Sequence, residues 1–389
     1  MLKNKSGTSN CAKSELGLTL HRVWVDGCFD MMHYGHANAL RQAKEMGDWL
    51  VVGIHSDADI THNKGVPVCN NDERYTAIEA CKWVDEVVKG APFTTSLAMM
   101  DEYGCDFCVH GDDITTNAEG RDSYEAVKAA GRFKECKRTP TVSTTELVGR
   151  MLLMTKTHHE KSLSGMDANK EELDSKKTRG ETSTVGSHAK SPYTSAYTML
   201  PTSRRIIEFS SSREAKPTDR VVYVDGVFDL FHAGHCELLR KAREMGDFLL
   251  VGIHDDTTAN RIRGCNYPIM NLHERTLSVL SCKYVDEVII GAPYSVTQGL
   301  LQGGFNITCV VHGKTAVDPD INEQDPYALP KQMGIYHEVE TRFAYLTTEA
   351  LVERILSRRQ AYEERNRKKE AKDIAAIKAA QERAQVALQ

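Results

Sequence analysis

The sequence predicts an α/β chain built as two doubly wound parallel sheets in tandem. Three observations predict it. One block occurs twice: VWVDGCFDMMHYGHANALRQAKEMGDWLVVG begins at Val23, and VYVDGVFDLFHAGHCELLRKAREMGDFLLVG begins at Val222, 199 residues later. CKWVDEVV at Cys81 and CKYVDEVI at Cys282, GAPF at Gly90 and GAPY at Gly291, and TTE at Thr144 and Thr347 extend the match. An offset that drifts by only a few residues marks one domain duplicated, with small loop insertions. Within each copy, short apolar runs alternate with helical patterns, the order of a parallel sheet with right-handed crossovers. Residues capable of chemistry cluster just after the strand ends, where such sheets bind ligands.

Residues 1–20 hold no apolar run of the kind a secretory signal needs and are expected to be a flexible N-terminus. The first domain is expected at 21–154. Its Arg22–Val25 run is β-prone, and Asp26–Met32 breaks it. Ala37–Met46 has helical spacing, with Leu40 and Ala43 facing inward. Trp49–Ile54 is a continuous apolar run suited to a strand buried on both faces. A helix over Asp72–Lys82, a strand over Glu86–Val88, a helix over Thr95–Tyr103, a strand over Phe107–Val109 and a helical pattern over Glu146–Leu153 complete the copy. Residues 155–218 are rich in Ser, Thr, Lys and Glu and read as a linker, with order expected only near Tyr193–Phe209. The second domain spans 219–356. Residues 357–389 alternate charge and alanine, as a solvated helix does; Ile374, Ile377, Val386 and Leu388 are too sparse for a membrane-surface face.

Composition narrows the function classes. Of 389 residues, 49 are basic and 54 acidic, a net charge of −5. That balance leaves no footprint for nucleic acid, which is not expected as a partner. Mean hydropathy is −0.43, and the roughly 18 consecutive apolar residues of a membrane-spanning helix are absent. Eleven cysteines, an odd number without framework spacing, point to reduced thiols and a cytoplasmic protein. The lone CxxC at Cys105 and Cys108 has no counterpart in the second copy and reads as buried structural thiols. Trp83 and Tyr284, at matching positions, read as core or domain-interface residues.

The sharpest chemical signal is His33-Tyr34-Gly35-His36, repeated as His232-Ala233-Gly234-His235. Two histidines three apart in a helix's first turn share one face. Gly35 lets a ligand approach the backbone closely. The helix start adds unpaired N–H groups and partial positive charge, which favour anions. Together these suit a phosphorus centre carrying spread negative charge. No third and fourth ligand at metal spacing accompanies the histidines, so direct metal ligation by protein is not assigned. Dinucleotide-binding and Walker A sequences are absent.

The DGxFDxxHxGH block, the Lys64-Gly65 pair and Arg138-Thr139 followed by Ser143-Thr144-Thr145 resemble the signature of the cytidylyltransferases. The tandem arrangement is similar to those members that act on phosphoethanolamine. The resemblance implies two Rossmann-like nucleotidyltransferase domains and transfer of CMP from CTP to phosphoethanolamine, releasing pyrophosphate, with Mg²⁺ accompanying CTP. It implies that His33, His36 and Lys64 are catalytic. Asp26, Gly27, Phe29, Gly35, Arg138, Thr139, Ser143, Thr144 and Thr145 would bind CTP, and Asp112, Asp113, Lys82 and Asp85 the acceptor. Lys82 departs from the family's arginine, which puts a bidentate role there in doubt. Single-domain relatives pair, so an internal pseudo-dimer is expected, and a homodimer stays open.

In the second copy His232 and His235 remain, but Arg263 replaces the lysine and Lys314-Thr315 the acidic pair. Its last motif, ending at Thr347-Thr348, loses the serine. This copy is expected to be degenerate. Alternatives are phosphocholine or another phosphomonoester as acceptor, another nucleotidyltransferase of the histidine-motif superfamily, or a nucleotide sensor. Against an aromatic cage for a quaternary ammonium, the chain has Phe93 where choline-type relatives carry tryptophan. The class I aminoacyl-tRNA synthetases share the histidine motif, but their lysine loop is not found here.

Overall fold

The computed structural model describes residues 20–112, 115–139, 142–152, 201–211, 213–364 and 366–367. Asp113, residues 1–19, residues 153–200, most of them in the expected linker, and 368–389 of the expected C-terminal helix lie outside them.

The first copy forms a five-stranded, wholly parallel sheet in the order β3-β2-β1-β4-β5. Its strands are β1 (Arg22–Gly27), β2 (Trp49–Ile54), β3 (Glu86–Lys89), β4 (Phe107–Gly111) and β5 (Phe133–Cys136). The helices are α1 (Tyr34–Lys44), α2 (Asp57–Asn63), α3 (Asn71–Glu79), α4 (Leu97–Glu102), α5 (Glu125–Ala129) and α6 (Thr144–Leu152). Val23, Trp24, Leu50, Val51 and Val52 are fully buried, which is why these apolar runs lack a polar face. Leu40 and Ala43 point inward as expected. Helix α7 (Pro201–Phe209) follows, within the span read as linker.

The second copy repeats the sheet as β10-β9-β6-β7-β8. It comprises β6 (Val221–Gly226), α8 (Ala233–Glu244), β7 (Phe248–Ile253), α9 (Asp256–Arg263), α10 (Leu272–Leu280), β8 (Glu287–Ile290), α11 (Gln298–Gln302), β9 (Ile307–Gly313), α12 (Ala328–Gln332), β10 (Tyr336–Val339) and α13 (Thr348–Ser357). In both sheets the first strand is central, with its neighbours running to opposite edges. The crevice above its carboxyl end is therefore the natural ligand site.

Three elements of the first copy escape a reading by apolar period. Helix α2 is polar all round except for buried Ile60, and α5 and β5 are too short to show a period. Asp26 and Gly27 end strand β1 instead of breaking it. Tyr362, in the tail read as solvated, is buried in the core.

The copies pack about a pseudo-two-fold axis. Cys81 and Cys282 form an isolated antiparallel bridge, flanked by Lys82 N–H to Ser281 O at 2.9 Å and Lys283 N–H to Ala80 O at 2.8 Å. Helix α3 lies against α8, α1 against α10, and α6 against α13. One apolar core crosses the junction, joining Phe29 and Ile78 to Leu277 and Leu351. No helix among the described residues is long and apolar enough to cross a membrane.

Candidate active site

The loop from β1 to α1 is wound tightly. Phe29 and Met31 both have φ of +49°, a left-handed conformation that costs bulky residues roughly 1–3 kcal/mol each and persists only where neighbours fix it. Asp30 does much of that fixing. Its buried carboxylate accepts the N–H groups of Val68 (3.0 Å) and Cys69 (2.9 Å), and its carbonyl accepts the Thr144 hydroxyl (3.0 Å). Buried Arg74 adds a bond to the Cys28 carbonyl at 2.8 Å and an ion pair with Asp57 at 2.7 Å.

The loop ends by placing His33 as the N-cap of α1 and His36 in its first turn, with ring centroids 4.0 Å apart. The Nδ1 of His33 accepts the Gly35 N–H at 3.1 Å, and the Nδ1 of His36 accepts the His33 N–H at 3.4 Å. A neutral imidazole that accepts through Nδ1 carries its proton on Nε2. Both rings are thereby set as Nε2 donors at the positive end of a helix, a pair suited to oxygen atoms gaining negative charge. A Cβ at Gly35 would meet the His33 ring and Val142 at 2.9 Å, so no larger residue fits.

Other expected residues follow the neighbouring strands of the same sheet. The Lys64 ammonium, at the C-cap of α2, lies 5.3 Å from the Phe93 ring centre, and Phe93 packs against His55 at 4.9 Å. His55 donates through Nδ1 to the Ala91 carbonyl (3.0 Å), and burial lowers its pKa. Ser143 caps α6 by accepting the Glu146 N–H at 3.1 Å. Thr144 and Thr145 open that helix. Thr139 is buried and accepts from Asn38 at 2.9 Å, while Arg138 and Asp112 are exposed.

Other expected residues stand behind the site. The Asp26 carboxylate is buried and accepts from Trp24 (3.0 Å), Tyr124 (2.5 Å) and Thr95, so it braces the strand end. Gly27 lies under the Phe29 ring, 3.2 Å from where a Cβ would be, and Phe29 sets its edge against His36 at 5.7 Å.

Two expected acceptor residues require correction. Asp85 accepts the Leu50 N–H and pairs with Lys44, both at 2.7 Å, at the amino ends of the strands, opposite the histidines. Lys82 sits at the junction of the copies and donates to the Phe209 carbonyl. Burial there lowers its pKa to about 8. Neither faces the site, because CKWVD leads into the start of β3, not out of its end. Trp83 stacks edge-on against Phe209 at 4.8 Å, as an interface residue. Cys105 and Cys108 are buried, and desolvation raises both thiols, Cys105 to about 12.

Tyr124, Trp24 and Arg74 were not singled out from sequence. The signal was present in the repeat: they answer Tyr327, Tyr223 and Arg275, which occupy the same places.

The second site keeps the histidine geometry. His232 caps α8, stacked on His235 at 3.8 Å. Burial lowers both pKa values, that of His235 to about 3, with Arg263 adding to the effect. The last motif aligns one residue differently from the sequence match. Thr347 is the N-cap of α13, as Ser143 is of α6, and Thr348 donates to the Asp229 carbonyl at 3.1 Å as Thr144 does to Asp30. The serine is therefore replaced in kind by threonine. The real change is at Thr145, whose counterpart is Glu349, and Glu349 pairs with Arg263 at 3.0 Å.

Fold and site together define a nucleotidyltransferase of the cytidylyltransferase class. The model of the Cytidylyltransferase-like family matches residues 24–150 and 223–372. The ethanolamine-phosphate cytidylyltransferase of Dictyostelium discoideum is 53% identical over 361 residues, covering 91% of this chain and 95% of that one. Its counterpart from Mus musculus is 49% identical over 394 residues, 97% of each. Choline-phosphate cytidylyltransferase A of Homo sapiens is 42% identical over 134 residues, 34% of this chain and 36% of that one. The chain belongs to the ethanolamine-phosphate cytidylyltransferase family.

Proposed function

We infer that the chain is an enzyme that transfers CMP from CTP to phosphoethanolamine, giving CDP-ethanolamine and pyrophosphate for phosphatidylethanolamine synthesis. The observation that carries this is near-full-length likeness to ethanolamine-phosphate cytidylyltransferases, with the whole motif set present in the first copy.

A phosphate oxygen of the acceptor attacks the α-phosphorus of CTP in line, and the bond to the β-phosphate oxygen breaks as pyrophosphate leaves. Chemistry of this kind needs little beyond positioning and charge stabilisation, and no covalent protein intermediate. His33 and His36 donate through Nε2 to the oxygens on which charge gathers. Lys64 supplies a cation to the phosphates. Arg138, with the α6 start at Ser143 to Thr145, receives the β- and γ-phosphates. Asp112 and Asp113 serve the acceptor's ammonium. Among the described residues no three His, Cys, Asp or Glu side chains converge on a metal site. Mg²⁺ would accompany CTP, held by the polyphosphate whose charge it would neutralise. The described cysteines form no disulfide, which supports a cytoplasmic location.

Product formation from CTP or ATP, each with phosphoethanolamine, phosphocholine or glycerol 3-phosphate, tests the reading. CTP with phosphoethanolamine should exceed every other combination at least tenfold in kcat/KM. Phosphocholine as the equal or better acceptor would overturn it.

A further inference from the structure

Two arginines cross the junction between the copies in equivalent roles. Arg354, on α13 of the second copy, grips Glu73 through both Nη atoms (2.7 and 2.8 Å) and donates to the Val68 carbonyl at 3.1 Å. Arg150, on α6 of the first copy, grips Glu274 (2.8 and 2.9 Å) and donates to the Ile269 carbonyl at 3.2 Å. The two glutamates are almost wholly buried, at 1% and 5% side-chain exposure.

What each arginine holds is the backbone that holds an active-site loop. The Val68 peptide is tied at both ends, its N–H on Asp30 and its carbonyl on Arg354. Asp30 lies between left-handed Phe29 and Met31, three residues before His33. In the second copy the chain of contacts is the same: Ile269 and Met270 donate to Asp229 at 2.7 and 2.9 Å, and Arg150 holds the Ile269 carbonyl. Each copy thus braces the other's histidine loop.

We propose that Arg354 is a positioning residue for the first copy's reaction: the second copy, whatever its own chemistry, supplies the clamp that keeps His33 and His36 in place. The inference rests on the first copy being the catalytic one. A strained loop with fewer restraints relaxes, and small displacements of reacting groups cost large factors in rate.

The pseudo-symmetry provides the control. Arg354→Met with Glu73→Gln removes one clamp without stranding a buried carboxylate, and glutamine still accepts the Asn70 N–H that Glu73 accepts. Arg150→Met with Glu274→Gln removes the equivalent clamp from the second copy's loop. In the full chain the first pair should lower kcat at least about tenfold while KM for phosphoethanolamine shifts less than twofold. The second pair should keep kcat within about threefold, with a similar loss of thermal midpoint. If only one double variant folds, Arg354→Lys against Arg150→Lys decides by the same kcat comparison. Equal kcat losses, or full activity without Arg354, would overturn the proposal. Parallel measurement of His36→Ala and His235→Ala separates the two failures, since a wrong choice of catalytic copy shows as loss in the latter alone.

Discussion

Asp112 stands exposed just past the end of β4, with His110 two residues before it packed against Tyr124 at 4.6 Å. A primary ammonium offers three N–H donors to a carboxylate, whereas trimethylammonium offers none. A charge-assisted contact is worth about 1.5–3 kcal/mol, or roughly tenfold to over a hundredfold in affinity. Asp112→Asn is therefore expected to raise KM for phosphoethanolamine by that factor and leave KM for CTP nearly unchanged, as separate titrations of the two substrates would record. Loss of CTP affinity instead would assign the acid to the nucleotide. The histidine pair was legible in the sequence because its partners are three residues apart. The Asp26–Tyr124 bond, joining residues 98 apart, was not, since spacing along the chain carries no information about strand order.

Among the elements, the starts of α6 and α13 differ most in consequence. A helix N-terminus attracts anions, and in α13 an anion is built in: Glu349 occupies the second helical position and pairs with Arg263, the counterpart of Lys64. Lys314 is likewise paired, with Glu340 at 3.1 Å. With Arg263 and Lys314 both paired, little net positive charge remains for a triphosphate. The second copy should bind CTP weaker than the first by a hundredfold or more, since like charges placed together cost several kcal/mol. Equilibrium dialysis should count one CTP per chain. Glu349→Thr, restoring the first copy's residue, should raise the count toward two, and adding His235→Ala should return it to one. Two equivalents on the unaltered chain would contradict this account. Comparing motifs by letter hid it, because matching TTE with TTE sets the register one residue off; only the hydrogen bonds of Thr144 and Thr348 align the helices.

At the scale of the molecule, duplication made the fold readable. A run seen twice, such as Trp49–Ile54 and Phe248–Ile253, is separated from chance by its copy, and both became buried interior strands. The same evenness misled at Lys82 and Asp85. Their motif recurs because both copies need it at the junction and at the amino ends of the strands, so recurrence there reports packing instead of chemistry. Helix α7 lies in the Tyr193–Phe209 patch where order was expected, and its Phe209 is fully buried at the junction although the surrounding stretch is polar.

The central claim is that CMP transfer takes place in the first copy, on His33 and His36. It is tested most directly by kcat for CDP-ethanolamine formation in full-length His36→Ala and His235→Ala. Loss of one donor to a transition state typically costs about two to three orders of magnitude. His36→Ala should fall by that amount and His235→Ala by less than about tenfold. Comparable losses in both variants, or the larger loss in His235→Ala, would contradict the account.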